Sequence, residues 1–260
     1  MAWYTCLMKH YVIIPTYNEK SNIRKIVEAI LAAVPDVYIL IVDDNSPDGT
    51  AGIVRDLQKN HKNIILRTRP RKLGLASAYT ESIKYILEHD PGAFSITTMD
   101  ADLSHDPNIL KKMHLYIQHN DLVIGSRYVA GGGLENWTFD RKLLSIFGNV
   151  YARYVSGVQI HDLTAGYQCF KADLLRRKEF GELHTKGFAF QMEMKTIAYA
   201  LGANILEIPI IFKNRVHGKS KISDSIIYEG LVIPWRLRRI MKQCKDQPTT
   251  IIRTGSVVHE

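Results

Sequence analysis

The stretch FSITTMDADLSHDP, residues 94–107, runs from apolar and β-branched residues straight into Asp100 and Asp102, with one alanine between them. Its first half reads as a buried strand. At i and i+2 of an extended chain the two carboxylates point the same way and repel, so they need a shared proton or a cation. A hard divalent ion, Mg²⁺ or Mn²⁺, resolves the conflict, because it takes one or two protein carboxylates and fills its shell with phosphate oxygens and water. Helix capping explains the same residues: Asp106 before Pro107 suits an N-cap with proline at the first helical position, and Asp102 or Ser104 braces that turn.

Working outward, HYVIIPT (10–16), VYILIVDD (37–44), NIILRT (63–68), FSITTMD (94–100) and DLVIGS (121–126) are apolar almost throughout, the pattern of strands covered on both faces. Between them SNIRKIVEAILAAV, TAGIVRDLQKN, GLASAYTESIKYILEH and PNILKKMHLYIQHN carry helical spacing. The order βαβαβαβαβ predicts an α/β fold, a mostly parallel, Rossmann-like sheet with helices on both sides. Sites in such folds lie at the carboxyl ends of the strands. Those ends carry Pro15 to Glu19, Asp43 and Asp44, Asp100 and Asp102, and Ser126 and Arg127.

The composition fits such a domain: 260 residues, 46% hydrophobic and 23% charged. Thirty-four Lys and Arg against 26 Asp and Glu leave +8, which favours an anionic partner. Cys6, Cys169 and Cys244 are scattered without metal-ligand spacing and are expected as free thiols. The N-terminal residues lack the pattern of a secretory leader, and no stretch reaches the ~18 uncharged apolar residues of a spanning helix. A chain that is soluble or attached to a membrane from outside is the expectation.

Beyond residue 130 the pattern changes. A glycine-rich stretch precedes DRKLLSIFGNVYARYVSG (140–157), an amphipathic helix with Leu143, Leu144, Phe147, Val150, Tyr151 and Tyr154 on one side and Arg141, Lys142 and Arg153 elsewhere. It suits a membrane surface or packing against its own domain equally. A helix over 186–202, a strand over 203–212 and a closing helix over 224–242, kinked at Pro234, are predicted next. The closing helix sets Trp235, Leu237 and Ile240 among Arg236, Arg238, Arg239 and Lys242, an interfacial composition.

Two further loops carry chemistry. PTYNE (15–19) offers Tyr17 as a surface for a base and Glu19 as a hydroxyl acceptor, and it also reads as a proline turn before a capped helix. RPRKLGLASAY (69–79) places Arg69, Arg71 and Lys72 before a glycine-opened helix, an anion site by charge and dipole or a solvated basic loop.

Taken in order, PTYNE, VDDNSPDGT, RKLGLASAY, MDADLSHDP, GSRYVAGG, RKLLSIFGN, DLTAGYQCFK, FQMEM and NRVHGKSK resemble the dolichyl-phosphate (polyprenyl-phosphate) mannosyltransferases, inverting glycosyltransferases of the GT-A fold, over about residues 10 to 222. The resemblance implies transfer of mannose from GDP-mannose to dolichyl or another polyprenyl phosphate, giving a β-linked lipid-phosphate sugar that donates to protein glycosylation or glycolipid synthesis. It implies a catalytic domain over 1–222, with 223–244 as a surface helix and 245–260 as a flexible tail. Pro15, Tyr17 and Glu19 would line the guanosine pocket with Val42 and Asp44 beside it, and Asp100, Ala101 and Asp102 would form the acidic donor motif. Asp100, Asp102 and Ser104 would meet the Mg²⁺ or Mn²⁺; some relatives have glutamine where this chain has Ser104. Arg127, Arg215 and Lys221 would meet the donor phosphates, with Asp102 among the catalytic set, and Arg127, Arg141 and Arg215 the acceptor phosphate.

The same resemblance implies a peripheral protein on the cytosolic face of a membrane, endoplasmic reticulum or plasma membrane according to cell type, with or without a small membrane-anchoring partner. Rival readings are another nucleotide sugar such as UDP-glucose on the same acceptor, or a non-catalytic nucleotide-binding protein. A nucleic-acid partner is not expected, since no reading module is present.

Overall fold

A computed structural model describes residues 8–181, 183, 185, 187, 189–213, 224–243 and 250–255. In chain order the elements are β1 (Lys9–Thr16), α1 (Ile23–Ala33), β2 (Tyr38–Asp43), α2 (Thr50–Gln58), β3 (Ile64–Thr68), α3 (Leu75–His89), β4 (Ala93–Thr98), α4 (Ile109–Tyr116), β5 (Leu122–Ser126), β6 (Gly133–Glu135), α5 (Phe139–Ser156), β7 (Gln168–Lys171), α6 (Ala172–Leu175), a 3-10 turn (Lys178–Gly181), α7 (Ala189–Ala200), β8 (Ile205–Pro209), β9 (Ile211–Lys213), α8 (Asp224–Gln243) and β10 (Ile252–Thr254). The main sheet runs β10-β8-β5-β7-β4-β1-β2-β3, and β6 pairs with β9 in a second, two-stranded sheet.

The continuous apolar strands are explained by two cores, one on each face of the sheet. Along β1, Val12 and Ile14 enter one core while Tyr11 and Ile13 enter the other; along β2, Ile39 and Ile41 alternate with Leu40 and Val42 in the same way. The first core is completed by α1, α2 and α4 through Ile26, Ile30, Val54 and Met113, the second by α3, α7 and α8 through Tyr79, Phe190 and Leu237. Every pairing in the main sheet is parallel except those of β7, which lies antiparallel between β4 and β5. Because the chain turns from β1 to β2 on one side and reaches β4 on the other, a crevice opens at the carboxyl end of β1.

Several expectations change. The strand over 203–212 is two strands, since β8 ends at Pro209 and Ile210 turns away, its N–H bonding Ser126 O at 3.0 Å and its carbonyl accepting from Gly133 N at 3.0 Å. The closing helix carries Pro234 inside Asp224–Gln243, and of its expected interfacial set Leu237 is buried in the core with Ile240 packed against it, leaving Trp235 outward. Within the tail expected to be flexible, Ile252–Thr254 pair with Ile205–Glu207 as the edge strand β10. Cys169 is a free, buried thiol whose pKa burial pushes up to about 11, while Cys6 and Cys244 lie outside the described residues.

At the opposite end of the sheet from the crevice, His10 and His114 stack at 4.1 Å between ring centroids, with His10 Nδ1 on Ser95 Oγ at 2.7 Å. Burial lowers the pKa of His10 to about 4 and, with the neighbouring ring, that of His114 to about 3. Both rings are neutral in the fold but take up protons near pH 6.5 once unfolded, so the native state binds fewer protons in that window and loses stability as pH falls from 6.5 toward 4. The acid-side slope of unfolding free energy should shrink in His114→Phe, by on the order of 2 kcal/mol across the window; chemical denaturation at several pH values measures it. Equal slopes would show that other groups carry the acid sensitivity.

Candidate active site

The crevice holds a cleft of about 270 Å³ lined by Pro15, Tyr17, Glu19, Asp44, Asp100, Ala101 and Asp102, with Lys72 and the start of α3 closing it. Three loops build it. Asn18 and Asn45 turn the chain after β1 and β2 at φ 62° and φ 56°, a conformation asparagine tolerates better than other side chains. The loop after β2 then holds the loop after β1 by its backbone: Asn18 N donates to Ser46 Oγ at 3.0 Å, Glu19 N to Thr50 Oγ1 at 3.0 Å and Lys20 N to Asp48 Oδ2 at 2.9 Å. Tyr17 is thereby presented outward, with Lys72 Nζ 4.2 Å from its ring centroid.

The anion site expected at the start of α3 is filled from within. Asp44 receives Arg69 Nε at 2.5 Å on one oxygen and the Leu73 and Gly74 N–H groups at 3.1 and 3.3 Å on the other. Arg69 is itself buried and spends its other nitrogens on Ser77 Oγ at 2.7 Å and Gly74 O at 2.9 Å. Asp43 is also internal, accepting from Thr16 Oγ1 at 2.8 Å and Ser46 Oγ at 2.6 Å. Val42 points into the core and does not line the cleft. Removing half of the buried pair by Arg69→Ala strands a carboxylate in the interior and should cost about 3 kcal/mol of folding stability, read as the shift in denaturant midpoint; an unchanged midpoint would mean water replaces the guanidinium.

The acidic motif follows β4. Asp102 Oδ1 accepts the Ser104 N–H at 3.1 Å and its hydroxyl at 2.5 Å, so Ser104, buried behind the cleft, braces Asp102. Leu103 between them sits at φ 62°, unusual for a branched side chain, and its side chain packs on the core. The Asp100 N–H donates to His105 Nδ1 at 3.2 Å. His105 is buried, stacked on Tyr167 at 4.7 Å, and burial lowers its pKa against the pull of Asp100 and Asp102.

There is a second concave region. An apolar groove of about 450 Å³ lies between α5 and α8, with Leu144, Phe147, Tyr151, Met192 and Leu231 on its walls and Arg141, Trp137 and Thr164 on its polar side. Arg141 lies over the Trp137 ring at 3.7 Å. Arg127 meets the buried Asp162 through two parallel bonds, Nε to Oδ2 at 2.7 Å and Nη2 to Oδ1 at 2.8 Å, and reaches Thr164 Oγ1 at 2.7 Å. Burial opposes the charge of Arg127 but Asp162 outweighs it and raises its pKa. Beneath this pair Lys195 is buried, donating to Ala165 O, and burial lowers its pKa to about 7 despite Asp162 nearby. Arg215 and Lys221 lie outside the described residues.

The model of the family described as Glycosyl transferase family 2 matches residues 11–178, a span that holds both the cleft and the Arg127–Asp162 pair. This chain belongs to that family. Among curated relatives of this family 2 glycosyltransferase, the polyprenol monophosphomannose synthase of Mycolicibacterium smegmatis is 39% identical over 231 residues, covering 87% of this chain and 86% of the relative. The undecaprenyl-phosphate mannosyltransferase of Micrococcus luteus is 38% identical over 225 residues, 86% of this chain and 92% of the relative. The fold is that of solved GT-A-type enzymes: glucosyl-3-phosphoglycerate synthase of Mycobacterium tuberculosis with Mn²⁺, UDP and glucosyl-3-phosphoglycerate superposes at TM-score 0.60, 15% identity, covering 93% of this chain and 81% of that one. TarS of S. aureus with UDP-GlcNAc superposes at TM-score 0.61 and 17% identity, 91% of this chain and 70% of that one.

In this family 2 glycosyltransferase the acidic pair of the cleft is a donor set that suits a hard divalent cation. Among the described residues no group of three or more His, Cys, Asp or Glu is gathered to hold a metal by itself. Asp100 and Asp102 supply hard oxygens to one cleft, which leaves a divalent ion's other positions for a diphosphate and water. Asp162, Thr164 and His105, together with Trp137 and Lys195, are site-region residues that the sequence reading did not single out. Asp162 and Thr164 stand in the quoted DLTAG motif, and their only sequence signal was a polar pair beside a glycine turn.

Proposed function

We propose that the enzyme transfers mannose from GDP-mannose to dolichyl or another polyprenyl phosphate with inversion at the anomeric carbon. The observation that carries this reading is the presence of two sites in one fold: an acidic, aromatic-lipped cleft at the strand ends, and an apolar groove whose polar side holds Arg141 and the Thr164 bonded to Arg127. The names and identity of the curated relatives support the sugar and the lipid class.

In this reading an oxygen of the acceptor phosphate forms a bond to the anomeric carbon as the bond to the GDP oxygen breaks, and the product is a β-linked lipid-phosphate mannose. A phosphate monoester has a second pKa of about 6, so the attacking oxygen is already ionised at neutral pH and the chain need not supply a strong base. Mg²⁺ or Mn²⁺, held by Asp100 and Asp102, would supply charge neutralisation at the departing diphosphate. Tyr17 and Glu19 hold the nucleoside; Arg127 and Arg141, with Arg215 and Lys221, hold one anion against another that would otherwise repel it. Asp44 acts from inside, fixing Arg69 and the start of α3 beside the nucleoside.

The acceptor's lipid chain calls for attachment at a membrane surface, and α5 offers the means. Phe139, Leu143, Ile146, Val150 and Tyr154 form one exposed stripe, with Phe139 76% and Tyr154 87% exposed. Among the described residues no helix is long and apolar enough to cross a membrane. A small anchoring partner remains part of the proposal. The deciding experiment follows labelled mannose from GDP-mannose into lipid extract with a short dolichyl phosphate, with Mg²⁺ or Mn²⁺, with EDTA, and with UDP-glucose as competing donor. Metal-dependent, GDP-mannose-selective labelling supports the reading; transfer from UDP-glucose alone replaces the donor, and no transfer by the folded protein replaces the activity.

A further inference from the structure

We propose that Asp162 and Thr164 are positioning residues that turn Arg127 into a one-sided phosphate hook behind Thr164 of the apolar groove, an inference that rests on the acceptor reading above. Of the guanidinium's five N–H donors, Nε and both of Nη2 are spent: Nε on Asp162 Oδ2 at 2.7 Å, Nη2 on Asp162 Oδ1 at 2.8 Å and on Thr164 Oγ1 at 2.7 Å. Among the described residues Nη1 makes no hydrogen bond, so its pair of N–H groups is the edge left for an anion.

The clamp is over-determined. The Arg127 backbone N–H also donates to Asp162 Oδ2, at 2.9 Å, so one carboxylate fixes both ends of the residue. The Thr164 hydroxyl lies 3.2 Å from Asp162 Oδ1 as donor, closing a three-membered ring of polar groups. The turn that carries them is tied on two sides. Glu207, fully buried on β8, accepts the His161 and Asp162 N–H groups at 2.7 and 2.9 Å. Asn149 of α5 accepts the Leu163 N–H at 3.0 Å and donates to His161 O at 2.5 Å. The helix that bears the exposed apolar stripe is thus bonded directly to the turn that aims Arg127.

Asp162 is too buried for a clean test, since losing it leaves the largely buried Arg127 guanidinium without its ion pair. Thr164 is exposed and lines the groove, so Thr164→Val removes one hydroxyl at nearly constant volume and leaves the core untouched. Farnesyl phosphate binding is measured by calorimetry in detergent for wild type, Thr164→Val and Thr164→Ser, beside mannosyl transfer kinetics and melting temperature. The expected result is farnesyl phosphate binding about 10-fold weaker in Thr164→Val, with acceptor KM raised in step. The KM for GDP-mannose and the melting temperature stay unchanged, and Thr164→Ser recovers to within about twofold of wild type.

Wild-type binding by Thr164→Val overturns the inference, as does failure of Thr164→Ser to rescue, which would assign the effect to the methyl group. An equal rise in donor KM overturns it as well. A wild-type protein that binds farnesyl phosphate with this Thr164 dependence but transfers no mannose sinks the proposed reaction and keeps the hook. Normal transfer with a silent Thr164→Val does the reverse, and a wild-type protein that neither binds farnesyl phosphate nor transfers mannose overturns both.

Discussion

Asp102→Asn is expected to lower kcat by about 10³-fold while leaving the melting temperature nearly unchanged. The substitution keeps an oxygen at the position that accepts the Ser104 N–H and hydroxyl, at 3.1 and 2.5 Å, so the turn stays braced. What it removes is charge. With one carboxylate fewer in the cleft, a divalent cation held by Asp100 and Asp102 would lose one of these two ligands, and with it the charge neutralisation it would supply at the leaving group. Titration with Mn²⁺ sharpens the test: the residual activity should need a much higher metal concentration than wild type. Transfer at the wild-type rate would mean that Asp102 is a turn residue only and that the capping interpretation of this motif is right.

The second large effect is on membrane binding. Phe139→Glu, Val150→Glu and Tyr154→Glu together place three charges along the outward stripe of α5 without touching the residues that line the groove. Burying an aromatic or branched side chain in an apolar phase is worth about 1.5–3 kcal/mol. The triple variant should therefore bind anionic phospholipid vesicles at least about 100-fold more weakly in sedimentation. Turnover of a short acceptor in detergent should persist, because Leu144, Phe147 and Tyr151 on the groove side are intact. Undiminished vesicle binding would move the contact to α8 and its exposed Trp235, whose ring N–H reaches Tyr151 Oη at 3.2 Å.

The parallel sheet and its rim were legible because they rest on local signals. β-branched apolar runs mark the strands, and acids placed just past them mark the cleft, so Pro15, Tyr17, Glu19, Asp100 and Asp102 converge as read. What stayed hidden depends on partners distant in sequence. The residue that holds Asp44 is Arg69, 25 residues on, and the one that holds Arg127 is Asp162, 35 residues away. Four residues, QCFK, give β7 too little length for a strand pattern, and its place between β4 and β5 is set by topology alone. The periodicity of α5 announced an apolar side without saying that one stripe would wall a groove and the next would face outward. In α8 the same ambiguity hid that Leu237 belongs to the core.

The position of β7 also orders events during synthesis. β1 to β4 hold one another through parallel pairs that the first hundred residues complete, so their register can be set early in synthesis, before α7 and α8 cover one face. β5, which delivers Arg127, pairs only with β7 and β8 and has no neighbour to lie against until some forty further residues emerge. A nascent chain halted before Gln168 therefore has the strand pairs behind the acidic cleft available to it and leaves β5, with Arg127 just after it, without a strand partner.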